Sequence, residues 1–190
     1  MTNLEEPRGA RRSKPIAVGV LALAASVAAL QCARPDRRNP PVDRALALEA
    51  HAALPPEVAG LVRRACYDCH SHETRWPWYA HVAPVSWLVA ADVDKGRRQL
   101  NFSRWGDYNV YVRADLVDQA CRLVADRSMP LPSYRLMHSA ARLTEAEIEL
   151  FCEWTRREAD RLVAAPPTVS PRPAPSDSGA ERDAKGGSRP

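Results

Sequence analysis

The sequence predicts an all-α fold, in which a small domain of about four helices follows an apolar helix near the N-terminus. Apolar residues in the middle of the chain recur every three or four positions, which is the spacing of one helix face. That part of the chain lacks the alternating pattern of half-buried strands. The length of 190 residues fits one small domain with unlike ends.

The ends of the predicted helices are marked by proline, glycine and capping residues. Proline suits the first turn of a helix and interrupts its interior. Thr144 and Glu147 have the spacing of a capping box, which places the start of the last helix. The four helices are predicted over residues 55–66, 84–96, 111–127 and 144–163.

Composition divides the chain into five segments. The first is basic, the second apolar, the third rich in proline and arginine, and the last poor in apolar side chains, so we expect it to be disordered. We predict a cytoplasmic N-terminus at 1–15, a membrane anchor or signal at 16–33, a linker at 34–54, the folded domain at 55–163 and a disordered tail at 164–190.

Residues 16–33 contain no charged side chain and follow a basic stretch, which is typical of an export signal or membrane anchor. As a helix they would span roughly 27 Å, close to the thickness of the bilayer core. We predict a single-pass transmembrane helix. A cleaved signal ending near Ala28 and a lipid-modified Cys32 are the alternatives, although Gln31 stands where lipidation expects a small residue.

The charge of the folded part argues against nucleic-acid binding. The chain carries a formal net charge of +4, but residues 40–163 hold 16 basic and 17 acidic side chains. Nucleic-acid binding needs a basic excess on the folded surface, and here the excess lies at the two ends. We therefore exclude nucleic acid as a partner.

Cys66-Tyr67-Asp68-Cys69-His70 is the C-x-x-C-H pattern of covalent haem attachment. Two thiols three residues apart at a helix end can bond to the two vinyl groups of one porphyrin. The adjacent imidazole then lies where it can bind the iron. The sequence therefore predicts one haem c, held by Cys66 and Cys69 and ligated by His70.

Other chemistry remains open to the same cysteines. With His70, His72 and His81 they could form a zinc site, since zinc takes cysteine and histidine ligands tetrahedrally. A redox dithiol is a further alternative, although such pairs usually follow a βαβ pattern that this chain lacks.

Met129 is the predicted second axial ligand of the iron. It lies between a helix and prolines that stiffen the loop, so its thioether can be held in a fixed place. Methionine opposite histidine raises the potential of a haem relative to two histidines. His138 is the alternative ligand, Met137 a further competitor, and the alternative role for Met129 is filling a gap in the core.

Residues near the motif suggest how a haem would be surrounded. The aromatic block of Trp76 to Tyr79 with Trp87 could shield a porphyrin from water or form an ordinary core. Arg97 and Arg98 could pair with haem propionates or lie on a solvated helix face.

The motif and the apolar segment together predict a location outside the cytoplasm. Bacteria attach haem covalently there, so we expect the domain in the periplasm, held to the inner membrane by the N-terminal helix. In that oxidising compartment Cys121 and Cys152 could pair, or could remain two buried thiols.

The motifs also occur together in a known order. The chain resembles the bacterial haem-binding domain family of c-type cytochromes over about residues 28 to 158. The residues that carry the resemblance are Gln31, Arg34-Pro35-Asp36, Asn39-Pro40-Pro41, ACYDCHSHETRWPWY, AHVAPVSWLV, GRRQLNFSRW and MPLPSY with His138. The resemblance implies a single-haem domain behind an N-terminal membrane helix. It assigns the haem to Cys66, Cys69 and His70 and places Met129 in the segment that supplies the far ligand. Gln31 matches the family, which disfavours a lipid at Cys32.

We therefore predict a small cytochrome-c-like domain that transfers single electrons and is not an enzyme. Its redox protein partners are not evident from the sequence. A haem-based gas or redox sensor and a haem peroxidase are the rival functions, and both require an open iron position.

Overall fold

The computed structural model describes residues 13–164, and within them the fold is helical with no strand. This confirms the predicted all-α class. The predicted N-terminal basic segment up to residue 12 and the tail from residue 165 lie outside the described residues. The eight α-helices are α1 (Ser13–Leu30), α2 (Leu48–His51), α3 (Pro56–Ala65), α4 (Tyr67–His70), α5 (Val85–Gln99), α6 (Val110–Ala125), α7 (Pro132–Met137) and α8 (Glu145–Ala164).

The four helices predicted for the domain correspond to α3, α5, α6 and α8. The signals that predicted them are visible in the structure: Pro56 opens α3, and Thr144 and Glu147 form the expected capping box before α8. Helices α2, α4 and α7 have four to six residues, too few for a period to show in the sequence. Three 3₁₀ turns complete the fold, at Trp78–His81, Phe102–Asp107 and Ser139–Ala141.

Helix α1 matches most of the predicted apolar segment but ends at Leu30. Its described side chains, from residue 15 onward, are exposed. Between residues 13 and 164 no helix combines the length and the apolarity that a bilayer crossing requires. The structure therefore does not support the predicted transmembrane anchor.

The core forms where α3 and α6 pack against α8. It is built from aliphatic and aromatic side chains on the inner faces of these helices, with Trp105 fully buried beside them. A disulfide between Cys121 and Cys152 joins α6 to α8, which decides between the two alternatives for these cysteines. The two longest helices of the domain are thus also covalently linked.

Residues 34–54 are not the free spacer that we predicted. Leu48 of α2 is fully buried in the core, and the backbone of Leu46 accepts a 2.8 Å hydrogen bond from Gly106. Asn39 donates a 2.8 Å hydrogen bond to the carbonyl of Thr74. The prolines and arginines of this segment suggested an extended connector, but its few apolar residues are the ones that bury surface against the domain.

Candidate functional site

A crevice runs along α5 and is bounded by three parts of the chain. Two cavities of about 490 and about 470 Å³ adjoin a smaller one of about 100 Å³, with which each shares lining residues. Helix α5, the motif turn 66–70 and the segment 129–137 contribute to all three. The crevice is therefore where the predicted site residues meet, and its size suits a large cofactor.

The two motif cysteines lie at neighbouring places along this crevice. Cys66 ends α3 and precedes α4, and its carbonyl accepts hydrogen bonds from the backbone of Cys69 at 3.2 Å and of His70 at 2.9 Å. Cys66 lines the 490 Å³ cavity, and Cys69 lines the other two. Both are free thiols. Burial raises the pKa of each to about 12, so both carry their protons at neutral pH.

Gly96 lets α5 approach the motif turn closely. A Cβ at this position would stand 2.6 Å from the carbonyl oxygen of Cys69, closer than atoms in contact can lie. The helix that we predicted up to residue 96 continues to Gln99, so Gly96 lies inside α5. The glycine serves packing here, not termination.

His70 is oriented by a hydrogen bond at one ring nitrogen. Its Nδ1 lies 3.0 Å from the carbonyl oxygen of Leu100, and since a carbonyl only accepts, the proton must be on Nδ1. Burial lowers the pKa of His70, which favours the neutral ring. Nε2 therefore keeps a free lone pair, which is the arrangement found in metal-binding histidines.

Met129 lines the same cavities as His70, the 490 Å³ one and the small one. The chain reverses after α6 at Arg127, whose φ of 64° is the left-handed conformation common at helix ends. The backbone N–H of Met129 then donates a 2.8 Å hydrogen bond to the carbonyl of Leu123. The structure thus brings the predicted second ligand together with His70.

The alternative ligands are placed differently. The ring of His138 stacks on Tyr134 with centroids 4.0 Å apart, and His138 lines none of the three cavities. Met137 lines the cavity beside Cys69 but is about half exposed. Neither shares a cavity with His70.

Asp68, between the two cysteines, is bound to the segment that carries Met129. Tyr134 donates a 2.7 Å hydrogen bond to one oxygen of Asp68, and the backbone N–H of Arg75 donates to the other at 3.1 Å. Asp68 is buried, and Tyr134 lines the crevice. Burial and the bond to Asp68 raise the pKa of Tyr134. Sequence reasoning missed this pair, since no pattern links positions 66 residues apart.

The tryptophans predicted to shield a porphyrin lie elsewhere. Trp87 donates a 2.7 Å hydrogen bond to the carbonyl of Ala33, and Trp76 donates to Asn39 at 3.2 Å. Trp78 is 73% exposed. None of the three lines the crevice, where only Pro77 and Tyr79 of this aromatic block occur. Two of these indoles fix the chain that leaves α1.

The arginines predicted as propionate partners are already engaged. Arg97 donates to the carbonyl of Ser71 at 2.8 Å and to the Thr74 hydroxyl at 2.9 Å. Arg98 pairs with Asp94 one turn earlier on α5. The cation of α5 that lines the crevice is Lys95, which the sequence did not single out.

The zinc alternative lacks its ligand geometry. His72 uses both ring nitrogens in hydrogen bonds, with the carbonyl of Pro41 at 3.1 Å and the amide of Asn101 at 3.0 Å. His81 is exposed. In the stretch from 13 to 164, no group of three or more His, Cys, Asp or Glu side chains is arranged to hold a metal ion.

The donors that line the crevice fit a porphyrin. They comprise two unpaired thiols, an imidazole with a free Nε2 and a thioether. Apolar side chains supply most of the remaining surface of the 490 Å³ cavity: Ala65, Leu100, Phe102, Leu116, Ala120, Leu123, Val124, Pro130 and Phe151. Apolar surroundings with a few placed polar groups are typical of cofactor sites.

Comparison with known proteins agrees with this fit. The family model described as haem-binding domain matches residues 25–157, which is more than half of the chain. No curated protein and no solved structure matches the chain. The matched range contains α3 to α7, the motif turn and most of α8. The chain therefore belongs to the haem-binding domain family.

Proposed function

We propose that this chain binds one haem covalently through Cys66 and Cys69 and transfers single electrons. The observation that carries the proposal is the meeting of both thiols, His70 and Met129 along one crevice. When bound, the haem would supply an iron that changes oxidation state by one electron. The chain's own residues would hold it, ligate it and exclude water.

Attachment of a haem would require neither an oxidant nor a reductant. Each S–H would add across one vinyl group, with the sulfur bonding to one carbon and the hydrogen to the other. No atom leaves, so the polypeptide gains the full mass of one haem. The free state of Cys66 and Cys69 in the folded domain is the state this addition needs.

His70 and Met129 would be the protein ligands of the haem iron. The hydrogen bond between His70 Nδ1 and Leu100 fixes the tautomer and the orientation of the ring, so that Nε2 would be the atom available to the iron. Met129 supplies a sulfur in the same cavity. With both positions filled by the protein, the domain suits electron transfer better than oxygen chemistry or gas sensing, which require an open position.

A location outside the cytoplasm is part of the proposal. The Cys121–Cys152 disulfide supports it, because disulfides persist in oxidising compartments and are rare in the cytosol. The apolar segment at 16–33 also supports export. We propose the periplasmic face of the inner membrane, with redox proteins as partners.

Expression of the full chain together with the haem-attachment machinery tests the proposal. Pyridine haemochrome spectra report the haem type and its stoichiometry, and the denatured polypeptide should be heavier by one haem. The variant with both Cys66→Ala and Cys69→Ala should show no added mass, whereas Cys32→Ala should load like the wild type. A wild-type chain without added porphyrin mass, despite competent maturation, would overturn the proposal.

A further inference from the structure

One side-chain hydrogen bond joins the segment that carries Met129 (residues 129–137) to the haem-attachment turn (residues 66–70). Within the described range 13–164, the bond from the Tyr134 hydroxyl to Asp68 is the one hydrogen bond between residues 129–137 and the turn 66–70. The other hydrogen bonds of the segment reach α6 or residues close to it in sequence. One example is the bond from Arg135 to the carbonyl of Arg127 at 3.1 Å.

The contact is short, buried and charged. Asp68 is 8% exposed, and its second oxygen already accepts from the backbone and side chain of Arg75, at 3.1 and 3.4 Å. Hydrogen bonds to a carboxylate are stronger than neutral ones, and loss of the donor leaves a buried acceptor without its partner. This bond therefore favours the position of the segment next to the turn.

The segment is stiff enough to transmit that preference to Met129. Pro130 and Pro132 each fix one backbone dihedral between Met129 and Tyr134, and Pro132 is the first residue of α7. Tyr134 also stacks on His138, which holds its ring in place. A shift of Tyr134 away from Asp68 would therefore move Met129 relative to His70.

We propose that the Tyr134–Asp68 hydrogen bond is a latch that keeps Met129 at the iron and so limits access of other ligands. The inference rests on the proposed function and adds a positioning residue to it. Tyr134 acts on the iron through Met129 and does not itself ligate.

Imidazole binding to the ferric, haem-loaded full chain tests the latch, because imidazole must displace Met129. Tyr134→Phe removes only the hydroxyl, and we expect the apparent affinity for imidazole to rise about tenfold, the effect of losing a hydrogen bond to a charged group. Loss of the far-red band of His/Met ligation should follow at correspondingly lower imidazole concentration.

Tyr67→Phe is the matched control. Although Tyr67 belongs to the turn 66–70, its side chain lines none of the three cavities. Its hydroxyl also donates to a carboxylate, that of Glu49, at 2.8 Å, but this bond leads to α2 and not to the Met129 segment. We expect this variant to lose stability without a change in imidazole affinity. An equal rise in both variants would show a general loosening of the fold and overturn the latch.

Asp68→Asn tests the same bond from its other partner. It keeps an oxygen acceptor but removes the charge, so its effect on imidazole affinity should lie between those of the wild type and Tyr134→Phe. The double variant should show no further change beyond Tyr134→Phe. Additive effects, or no effect of either single change, would overturn the latch.

The same experiment separates the two proposals. If the wild-type chain acquires no covalent haem, the proposed function fails and the latch with it. If the wild type is haem-loaded and binds imidazole by losing Met129, while Tyr134→Phe matches it, the latch alone fails.

Discussion

Gly96 packs so closely against Cys69 that its missing side chain is what allows α5 to lie on the motif turn 66–70. A Cβ there would meet the Cys69 carbonyl oxygen at 2.6 Å and its carbon at 3.1 Å. These are backbone atoms of the motif, which cannot move without displacing the cysteines. The contact links the position of α5 to the position of the thiols.

Gly96→Ala should therefore destabilise the domain and disturb haem loading. We expect a loss of about 1–3 kcal/mol in the free energy of unfolding, as for overpacked cores, measured by urea denaturation. Gly60→Ala on α3 is the control, because a Cβ there meets nothing within 4 Å and alanine favours helix. The interpretation is wrong if Gly96→Ala is as stable as Gly60→Ala.

Met129→Ala should leave the haem attached but change its iron coordination. Under the proposed function, attachment would depend on Cys66 and Cys69, whereas the iron would lose the sulfur ligand. The ferric spectrum should shift from low spin to high spin, or to a form that binds added ligands, measured by optical and EPR spectroscopy. His138→Ala should keep the wild-type spectrum. An unchanged spectrum in Met129→Ala would show that another group ligates the iron.

The Cys121–Cys152 disulfide should stabilise the pairing of α6 with α8. Replacing both residues by serine should lower the free energy of unfolding by about 2–4 kcal/mol, the usual range for one disulfide. Calorimetric or chemical denaturation measures this loss. Cys32→Ser is the control, since Cys32 is exposed and free, and it should change stability by less than about 0.5 kcal/mol. Equal stability of the two variants would contradict the role given to the disulfide.

Leu48→Ala should show that residues 34–54 belong to the folded domain. Leu48 is fully buried, and truncation of a buried leucine costs about 2–5 kcal/mol. Val163→Ala on α8 is the control, because Val163 is 66% exposed. Denaturant unfolding should separate the two clearly. Similar stability of the two variants would indicate that residues 34–54 are a spacer, as the sequence predicted.

The sequence allowed the prediction of what depends on neighbours along the chain. The C-x-x-C-H motif, the capping box at Thr144 and the four helices are each encoded within a few turns of helix. Placement of the Tyr134 hydroxyl on Asp68, and of Lys95 instead of Arg97 along the crevice, depends on how distant elements pack. Period and motif carry no information on such distances.

The linker at 34–54 also shows what local sequence patterns cannot predict. Its prolines and arginines predicted an extended segment, and residues 34–43 are indeed without helix. Leu48 is buried in the space that the assembled domain leaves beside the 3₁₀ turn Phe102–Asp107, against which α2 packs. That space is a property of the assembled domain, which local composition does not describe.

The disulfide between α6 and α8 means that oxidation must select the correct pair among the cysteines of this chain. Cys121 and Cys152 form the disulfide, while the proposed haem attachment requires Cys66 and Cys69 to stay reduced until a vinyl group reaches them. Two thiols separated by three positions meet far sooner in an unfolded chain than two separated by 31, so random oxidation favours the wrong couple. The packing of α6 on α8 brings Cys121 and Cys152 together, so folding itself selects which pair of cysteines is oxidised.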